Sequence, residues 1–410
     1  MREAGRAGLP IDSLRPVGSL RRCGPDVGDI TLLAIADPAR HRHIRQGFAR
    51  LPIVTEVLAD TPTLLTVRSD RGVVSLRVTP PEHAGAALVW HTGSRGHTGR
   101  LQALARNRGL VFEDCVLRTD DGHEVPTWTE DVLYAELGLP FIPPELREAQ
   151  GEIEAAEQNA LPALITSMHI RGDLHMHTLW SDGRNPTEDM VVAARQLGYE
   201  YIAITDHSER SMASRRLTAA DIPRQRAEIA SLRERHPEIQ ILHGVEVDIM
   251  PDGSLDFADA DLETFDIVLA SLHDHGGHDT DVLTRRYLDA IQHPLVNVIT
   301  HPANRSPGFS PGYDVDFDRI FAAAVESGTA LEIDGAPGHL DMDGALARRA
   351  AAAGVVITID SDCHRADALS RQMRFGVSTA RRGWIEPQQV LNTRPVSAIR
   401  EFVQKKRDRH

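Results

Sequence analysis

Gly172-Asp173-Leu174-His175-Met176-His177-Thr178-Leu179-Trp180-Ser181-Asp182-Gly183 is an apolar stretch carrying two histidines at i and i+2. In an extended strand these positions share a face, so His175 and His177 point together as a chelating pair does. Asp173 has the same parity and is expected to orient a ligand from behind. Asp182 belongs either to a ligand set or to an ordinary Asp-Gly turn. Working outward, the same event recurs at the ends of later apolar runs. His207 follows Tyr201–Thr205, Glu246 lies in 240–247, and His273 follows Asp266–Leu272. His301 follows Asn297–Thr300, and Asp362 and His364 follow Val355–Asp360. Strands are therefore predicted at 173–177, 201–205, 240–247, 266–272, 297–301, 330–334 and 355–361. Helical stretches over 186–198, 218–235, 280–292, 316–327 and 342–353 separate most of them. Gly198, Gly328 and Gly354 stand where those helices should end. Seven alternating strands and helices predict an α/β fold with a parallel barrel, whose chemistry sits at the C-terminal ends of the strands.

The nine residues His175, His177, Asp182, His207, Glu246, His273, His301, Asp362 and His364 fall at those ends. Neutral imidazole with carboxylate suits Zn²⁺, Mn²⁺ or Fe²⁺. Nine donors exceed the needs of one ion and suit two or three. Glu246 would be costly inside an apolar strand unless ligated or paired, and Asp248, on the same face, competes for its role. His275 and His278 compete similarly with His273. Asp206 is a neighbour of a ligand, an acid/base group or a loop cap. Cys363, between Asp362 and His364, should face the opposite way as a packed thiol. Clusters of this kind hydrolyse phosphate esters by activating water and neutralising phosphoryl oxygens.

The composition narrows the alternatives. The chain has 410 residues, 41% of them hydrophobic, enough for two or three domains. No apolar run reaches the ~18 residues of a membrane span, and the basic N-terminus lacks an apolar signal segment. Three dispersed cysteines argue against a disulfide framework and for a reducing cytoplasm. Lysine occurs only at Lys405 and Lys406, so Schiff-base chemistry has almost no amine to use. The net charge is −14, yet residues 1–110 carry 16 Arg against 9 Asp and Glu. This basic region is compatible with phosphate binding or with an ordinary solvated surface.

Residues 11–80 read as a small α/β unit with strands at Ile30–Ala36, Leu64–Val67 and Val73–Val78, and 81–150 as mixed helix and loop. Arg147–Leu164 reads as a charged, Ala-rich connecting helix, with a domain boundary near residue 165. The segments GDLHMHTLWSDG, YIAITDHS, GVEVDI, SLH, THP and SDCH resemble the PHP domain family of metal-dependent phosphoesterases over residues 171–385. The resemblance implies a distorted (β/α)₇ barrel with a trinuclear site. One ion would take His175, His177, Glu246 and Asp362; a second would share Glu246 and take His273 and His301. The third would take Asp182, His207 and His364.

The chain resembles most closely the C-terminal part of bacterial family-X DNA polymerases. LGLPFIPPELREAQGEIEAA (137–156) is similar to their connector and RRGWIEPQQVLNT (381–393) to their end. GSLRR (18–22) with VGDI (27–30) is similar to a nucleotidyltransferase palm, and HTGSRGH (91–97) to its nucleotide-contacting turn. The resemblance implies a degenerate palm/thumb-like region at 11–150, a helical connector at 151–170 and the PHP domain at 171–400. Ser19, Arg21, Arg22, Gly93 and Ser94 become candidate nucleic-acid or nucleotide contacts. The palm pattern expects a second Asp where Thr31 stands and a third where Ser75 stands. Asp29 alone cannot hold two Mg²⁺ ions, so this region is expected not to polymerise DNA. The fingers and lyase-type domains usual before such a palm are not in the sequence.

The expected activity is phosphoester hydrolysis, with Arg305 as a candidate phosphate clamp, Arg184 as a weaker one, and Asp206 as a candidate proton donor to the leaving oxygen. The substrate is either a DNA 3′ end, cut by a 3′–5′ exonuclease, or a small phosphomonoester of the histidinol-phosphate type. A DNA-repair scaffold whose metals only stabilise the fold is the non-enzymatic alternative. No membrane partner is expected.

Overall fold

The N-terminal third of the chain is built on a five-stranded sheet: β1 (Ser13–Val17), β2 (Ile30–Ile35), β3 (Val54–Asp60), β4 (Leu64–Ser69) and β5 (Gly72–Thr79), in the order β1-β2-β5-β4-β3. The computed structural model describes residues 1, 4, 5, 7–273 and 279–408, and the chain divides into two units, Met1–Leu161 and Pro162–His410. Strand alternation sends Leu32, Ala34, Leu65, Val67, Leu76 and Val78 to one face, where they bury Ile44 and Phe48 of the helix His41–Ala49. Leu33 points to the other face and packs with Val17 and with Ala87 of the helix Ala84–Thr92. Two strands of this sheet escape a sequence reading for identifiable reasons, as do the three short strands within 81–150, a stretch that reads as mixed helix and loop. β1 contains Pro16, tolerated because β1 is an edge strand, and β3 is exposed along nearly its whole length, so it shows no apolar alternation. A second, antiparallel sheet comprises β6 (Leu110–Glu113), β7 (Val116–Thr119) and β8 (Glu124–Val125). The connecting helix expected over Arg147–Leu164 shrinks to Glu152–Glu157. Ala149, Gly151 and Asn159 have φ of 59°, 99° and 53°, and Pro162 follows.

The second unit is a barrel of seven parallel strands in sequence order: β9 (Gly172–Asp173), β10 (Tyr201–Ile204), β11 (Gln240–Asp248), β12 (Ile267–Ser271), β13 (Val298–Ile299), β14 (Ala330–Asp334) and β15 (Ile357–Asp360). The ring is completed beyond β9 and β15 by a single parallel bridge between Met176 and Cys363, with the His177 amide donating to the Cys363 carbonyl at 3.0 Å. This is a distorted (β/α)₇ barrel. Leu174, Tyr201, Ala203, Leu242, Leu269, Val298 and Ala330 form one buried cluster with Leu391, Ile399 and Val403 from the C-terminal segment. Burying each of the larger aliphatic side chains contributes roughly 1.5–3 kcal/mol. Asn392 ties that segment to the barrel, donating to the Gly172 and Ile359 carbonyls and accepting from the Ile359 amide.

Strand parity then acts as a ruler. Two residues on from each residue of this cluster the face repeats. Ala203 is followed by Thr205 and His207, Leu242 by Gly244 and Glu246, Leu269 by Ser271 and His273, and Ala330 by Glu332 and Asp334. Gly244 is required where the staves crowd: a Cβ there would meet Thr205 Cγ2 at 2.8 Å and Ile267 Cγ2 at 2.9 Å. No described helix is long and apolar enough to cross a membrane.

Candidate metal centre

At the C-terminal ends of the strands the nine residues named from the sequence converge. Glu246 lies at the middle. Its Oε1 is 3.1 Å from His301 Nε2 and 3.7 Å from His273 Nε2, and its Oε2 is 2.8 Å from His207 Nδ1 and 3.4 Å from His175 Nε2. His175 Nε2 and His177 Nε2 are 3.1 Å apart, and His177 Nε2 is 3.1 Å from Asp362 Oδ1. On the far side, Asp182 Oδ1 lies 3.1 Å from His364 Nε2 and 3.7 Å from His207 Nε2. Donor atoms within 4.8 Å of one another group as His177, Asp182, His207 and His364; His175, His177 and Asp362; and His207, Glu246 and His273. These groupings overlap at His177 and His207, whereas the sets implied by resemblance share Glu246.

The donors fit divalent cations. Asp182 Oδ1, Glu246 Oε2 and His207 Nδ1 are buried and make no hydrogen bond, although His207 Nδ1 and Glu246 Oε2 face each other. Unsatisfied lone pairs aimed at a common space are what a cation would complete. Burial alone would raise the Glu246 carboxyl, but the His207 and His175 imidazoles outweigh it and hold the group well below its usual range. Burial, reinforced by the charges of His364 and His207, pushes His177 down to about 3. Burial also lowers His301, to about 4 against the pull of Glu246. At neutral pH both therefore present an unprotonated nitrogen. Two ligand candidates, His301 at φ 29° and Asp362 at φ 46°, sit in the left-handed region that non-glycine residues rarely adopt. Strain of this kind gathers at functional sites.

Behind the donors stands a supporting layer. His175 Nδ1 is 2.7 Å from Glu332 Oε1, while Glu332 Oε2 accepts from the His301 amide at 2.9 Å. His273 Nδ1 is 2.5 Å from Asp248 Oδ1, so Asp248 backs a ligand candidate and does not replace Glu246. Cys363 is buried in the apolar core, with its thiol donating to the Arg365 carbonyl. Sequence reasoning missed Glu332, although the argument applied to Glu246, a carboxylate inside an apolar strand, applies equally to it. It also missed His339, whose ring stacks on His301 at 5.0 Å.

Other expectations are corrected. Asp173 is held by backbone groups: its Oδ1 accepts from the His175 and Ser361 amides at 3.2 Å each. Asp206 is fully buried and absent from the cavity lining. It accepts from the Thr178 and Ser181 amides and hydroxyls and from Gln225. It braces the loop that presents Asp182 and has no exposed oxygen with which to meet a leaving group. Arg305 also lies outside the lining, with its guanidinium 3.3 Å from Asp343. Arg184 is exposed. His275 and His278 lie outside the described residues. The cavity itself is about 230 Å³, lined by Asp182, His207, Glu246, His273, His301 and His364 with Met212 at its rim.

In the first unit, Ser19, Arg22, Gly93 and Ser94 line a cleft of about 630 Å³ together with Asp29, Thr31 and Arg77. Arg21 does not line it, because Thr92 and both oxygens of Glu130 take its guanidinium. Arg22 is held by Glu148 and by the Thr92 carbonyl. Ser94 caps the helix Arg95–Arg106 by accepting from the His97 amide. The strand register sets Thr31 opposite Ser75 on adjacent parallel strands, with hydroxyls where the palm pattern expects carboxylates.

Comparison with known proteins adds the following. The PHP domain family model matches residues 173–304, and the DNA polymerase beta thumb model matches residues 87–148. The DNA polymerase/3′–5′ exonuclease PolX of Bacillus subtilis (strain 168) is 35% identical over 393 residues, covering 95% of this chain and 68% of that protein. A probable phosphatase of Thermoanaerobacter sp. (strain X514) is 30% identical over 246 residues, 57% of this chain and 95% of its own length. A probable phosphatase of Syntrophotalea carbinolica is 27% identical over 239 residues, 56% and 94% respectively.

Proposed function

We propose, from the premise that this chain belongs to the PHP-domain family of PolX proteins, that it shortens DNA from the 3′ end as a metal-dependent 3′–5′ exonuclease or 3′-end phosphodiesterase. The chain is a metal-dependent phosphoester hydrolase. The observation that carries the reading is the cluster of nine His and carboxylate residues centred on Glu246, open to solvent through a small cavity. His175, His177, Asp182, His207, Glu246, His273, His301, Asp362 and His364 would hold two or three Mn²⁺, Zn²⁺ or Fe²⁺ ions. When bound, such ions supply a nucleophilic hydroxide at neutral pH and neutralise phosphoryl oxygens.

The chain's own residues do the rest. Glu332 fixes the tautomer and direction of His175 through Nδ1, leaving Nε2 for the centre, and Asp248 does the same for His273. The narrow cavity admits a terminal phosphoester rather than a duplex. DNA as substrate is supported by alignment with the PolX relative over nearly the whole chain and by the excess of arginine in residues 1–110. The first unit is then a DNA-end or nucleotide holder that does not polymerise, since Thr31 and Ser75 cannot ligate Mg²⁺ as carboxylates do. The site of action is the cytoplasm.

A second reading is a small-molecule phosphomonoesterase, favoured by the compact cavity and by the phosphatase relatives that match the barrel alone. The test is incubation with Mn²⁺ and 5′-labelled DNA bearing matched or mismatched 3′ ends, with His301→Ala as control. A 3′-shortening ladder that the variant loses supports the exonuclease. Intact DNA from a metal-loaded preparation that hydrolyses a small phosphomonoester supports the second reading.

A further inference from the structure

The barrel carries a further carboxylate–histidine grouping that the nine residues leave unused. Asp334 ends β14 on the inward face, two residues beyond Glu332, and His339 lies on the loop that follows. Donor atoms of Asp334, His339 and Asp362 lie within 4.8 Å of one another. Asp334 is completely buried; Oδ1 accepts from the Ala336 amide at 2.6 Å, while Oδ2 accepts no hydrogen bond. His339 Nδ1 is also buried and makes none, and its ring lines the same cavity as Asp362.

A buried carboxylate oxygen without a donor is costly, and a second carboxylate, Asp362, stands in the same grouping. Asp334 Oδ2 and His339 Nδ1 both lack a hydrogen-bond partner. A cation satisfies both groups at once.

We propose that Asp334, His339 and Asp362 hold one further divalent cation, joined to the main centre through Asp362. The proposal rests on reading that centre as metal-binding. The mixed oxygen and nitrogen donors suit Mn²⁺, Zn²⁺ or Fe²⁺. With three protein donors, one of them shared, the position binds more weakly than its neighbours and keeps coordination places open to solvent or to a phosphoryl oxygen.

The test is equilibrium dialysis of the full chain against rising Mn²⁺. Bound metal is counted by plasma mass spectrometry, and folding is checked by circular dichroism. Wild type is expected to take up one Mn²⁺ per chain more than Asp334→Asn or His339→Gln, the difference falling in the weakest binding step. His339→Gln changes a half-buried cavity residue and serves if Asp334→Asn fails to fold. Equal saturation in wild type and folded variants overturns the further position while leaving the main centre intact; loss of more than one ion also overturns it, because Asp334 and His339 then serve the main centre itself. His301→Ala separates the two readings, because it should lose ions from the main centre. Wild type that binds no Mn²⁺ removes the main reading and this one together.

Discussion

The barrel and the N-terminal sheet both place polar side chains on adjacent parallel strands, and they differ in what those side chains need. In the sheet, Thr31 donates to Asp29 at 3.0 Å, and Ser75 pairs with Thr66 at 3.2 Å. A hydroxyl carries its own proton and can satisfy a neighbour. In the barrel, carboxylate oxygens and imidazole nitrogens are buried facing each other with no hydrogen bond to satisfy them, as at Glu246 Oε2 and His207 Nδ1. A cation site is marked less by the number of polar groups than by buried ligand atoms left facing each other without hydrogen-bond partners.

The sharpest way to break this comparison is Glu246→Gln, which sets an amide NH₂ among the imidazoles. Loss of bound metal and a fall in kcat/KM on the order of 10³-fold are expected, read by metal analysis and steady-state kinetics. A variant with normal metal content would refute the central role of Glu246. Next is Glu332→Gln, which leaves every donor in place but weakens the hold on His175; metal affinity should fall about 10–100-fold in a competition titration against a chelator.

A smaller effect is expected from pH in the first unit. Burial, with the charge of Arg77, lowers His91 to about 3, and Cys115 lies 3.1 Å from its Nε2. The folded value lies below the ordinary 6.5, so the unfolded chain takes up the proton first. The stability this gives is complete above pH 6.5 and declines as pH falls toward 3, by about 2 kcal/mol at pH 5. Thermal melts at pH 7 and pH 5 should show the decline, and His91→Gln should flatten it. The smallest effect is none: Asp29→Ala should leave phosphoester hydrolysis at the wild-type rate, and a large loss would mean that the sheet's residual carboxylate takes part in the reaction.

Much of this was legible in the sequence because the barrel repeats one event, an apolar run ending in a histidine or carboxylate. Glu332 and Asp334 are harder to see because no histidine advertises their strand, although parity from Ala330 turns both inward. For Asp173 parity alone is not enough, because its carboxylate is taken by the His175 and Ser361 amides. Arg21 reads as a candidate nucleotide contact and Arg305 as a candidate phosphate clamp, but their ion-pair partners Glu130 and Asp343 are distant in sequence and invisible to that reading. The missed β3 shows the converse limit, for an exposed edge strand has no buried face to impose a pattern.

The single bridge that closes the barrel has a mechanical consequence. Every other joint between staves is a ladder of two or more paired residues, whereas Met176 and Cys363 meet once. The candidate ligands crowd this seam: His175 and His177 flank Met176, and Asp362 and His364 flank Cys363. Ions held between those pairs would work as rivets where the barrel's stitching is thinnest. Chelation should then do more than silence the enzyme. Amide exchange should quicken along the seam at His177 before it does at β11 and β12, so that the catalyst is also the clasp of its own container.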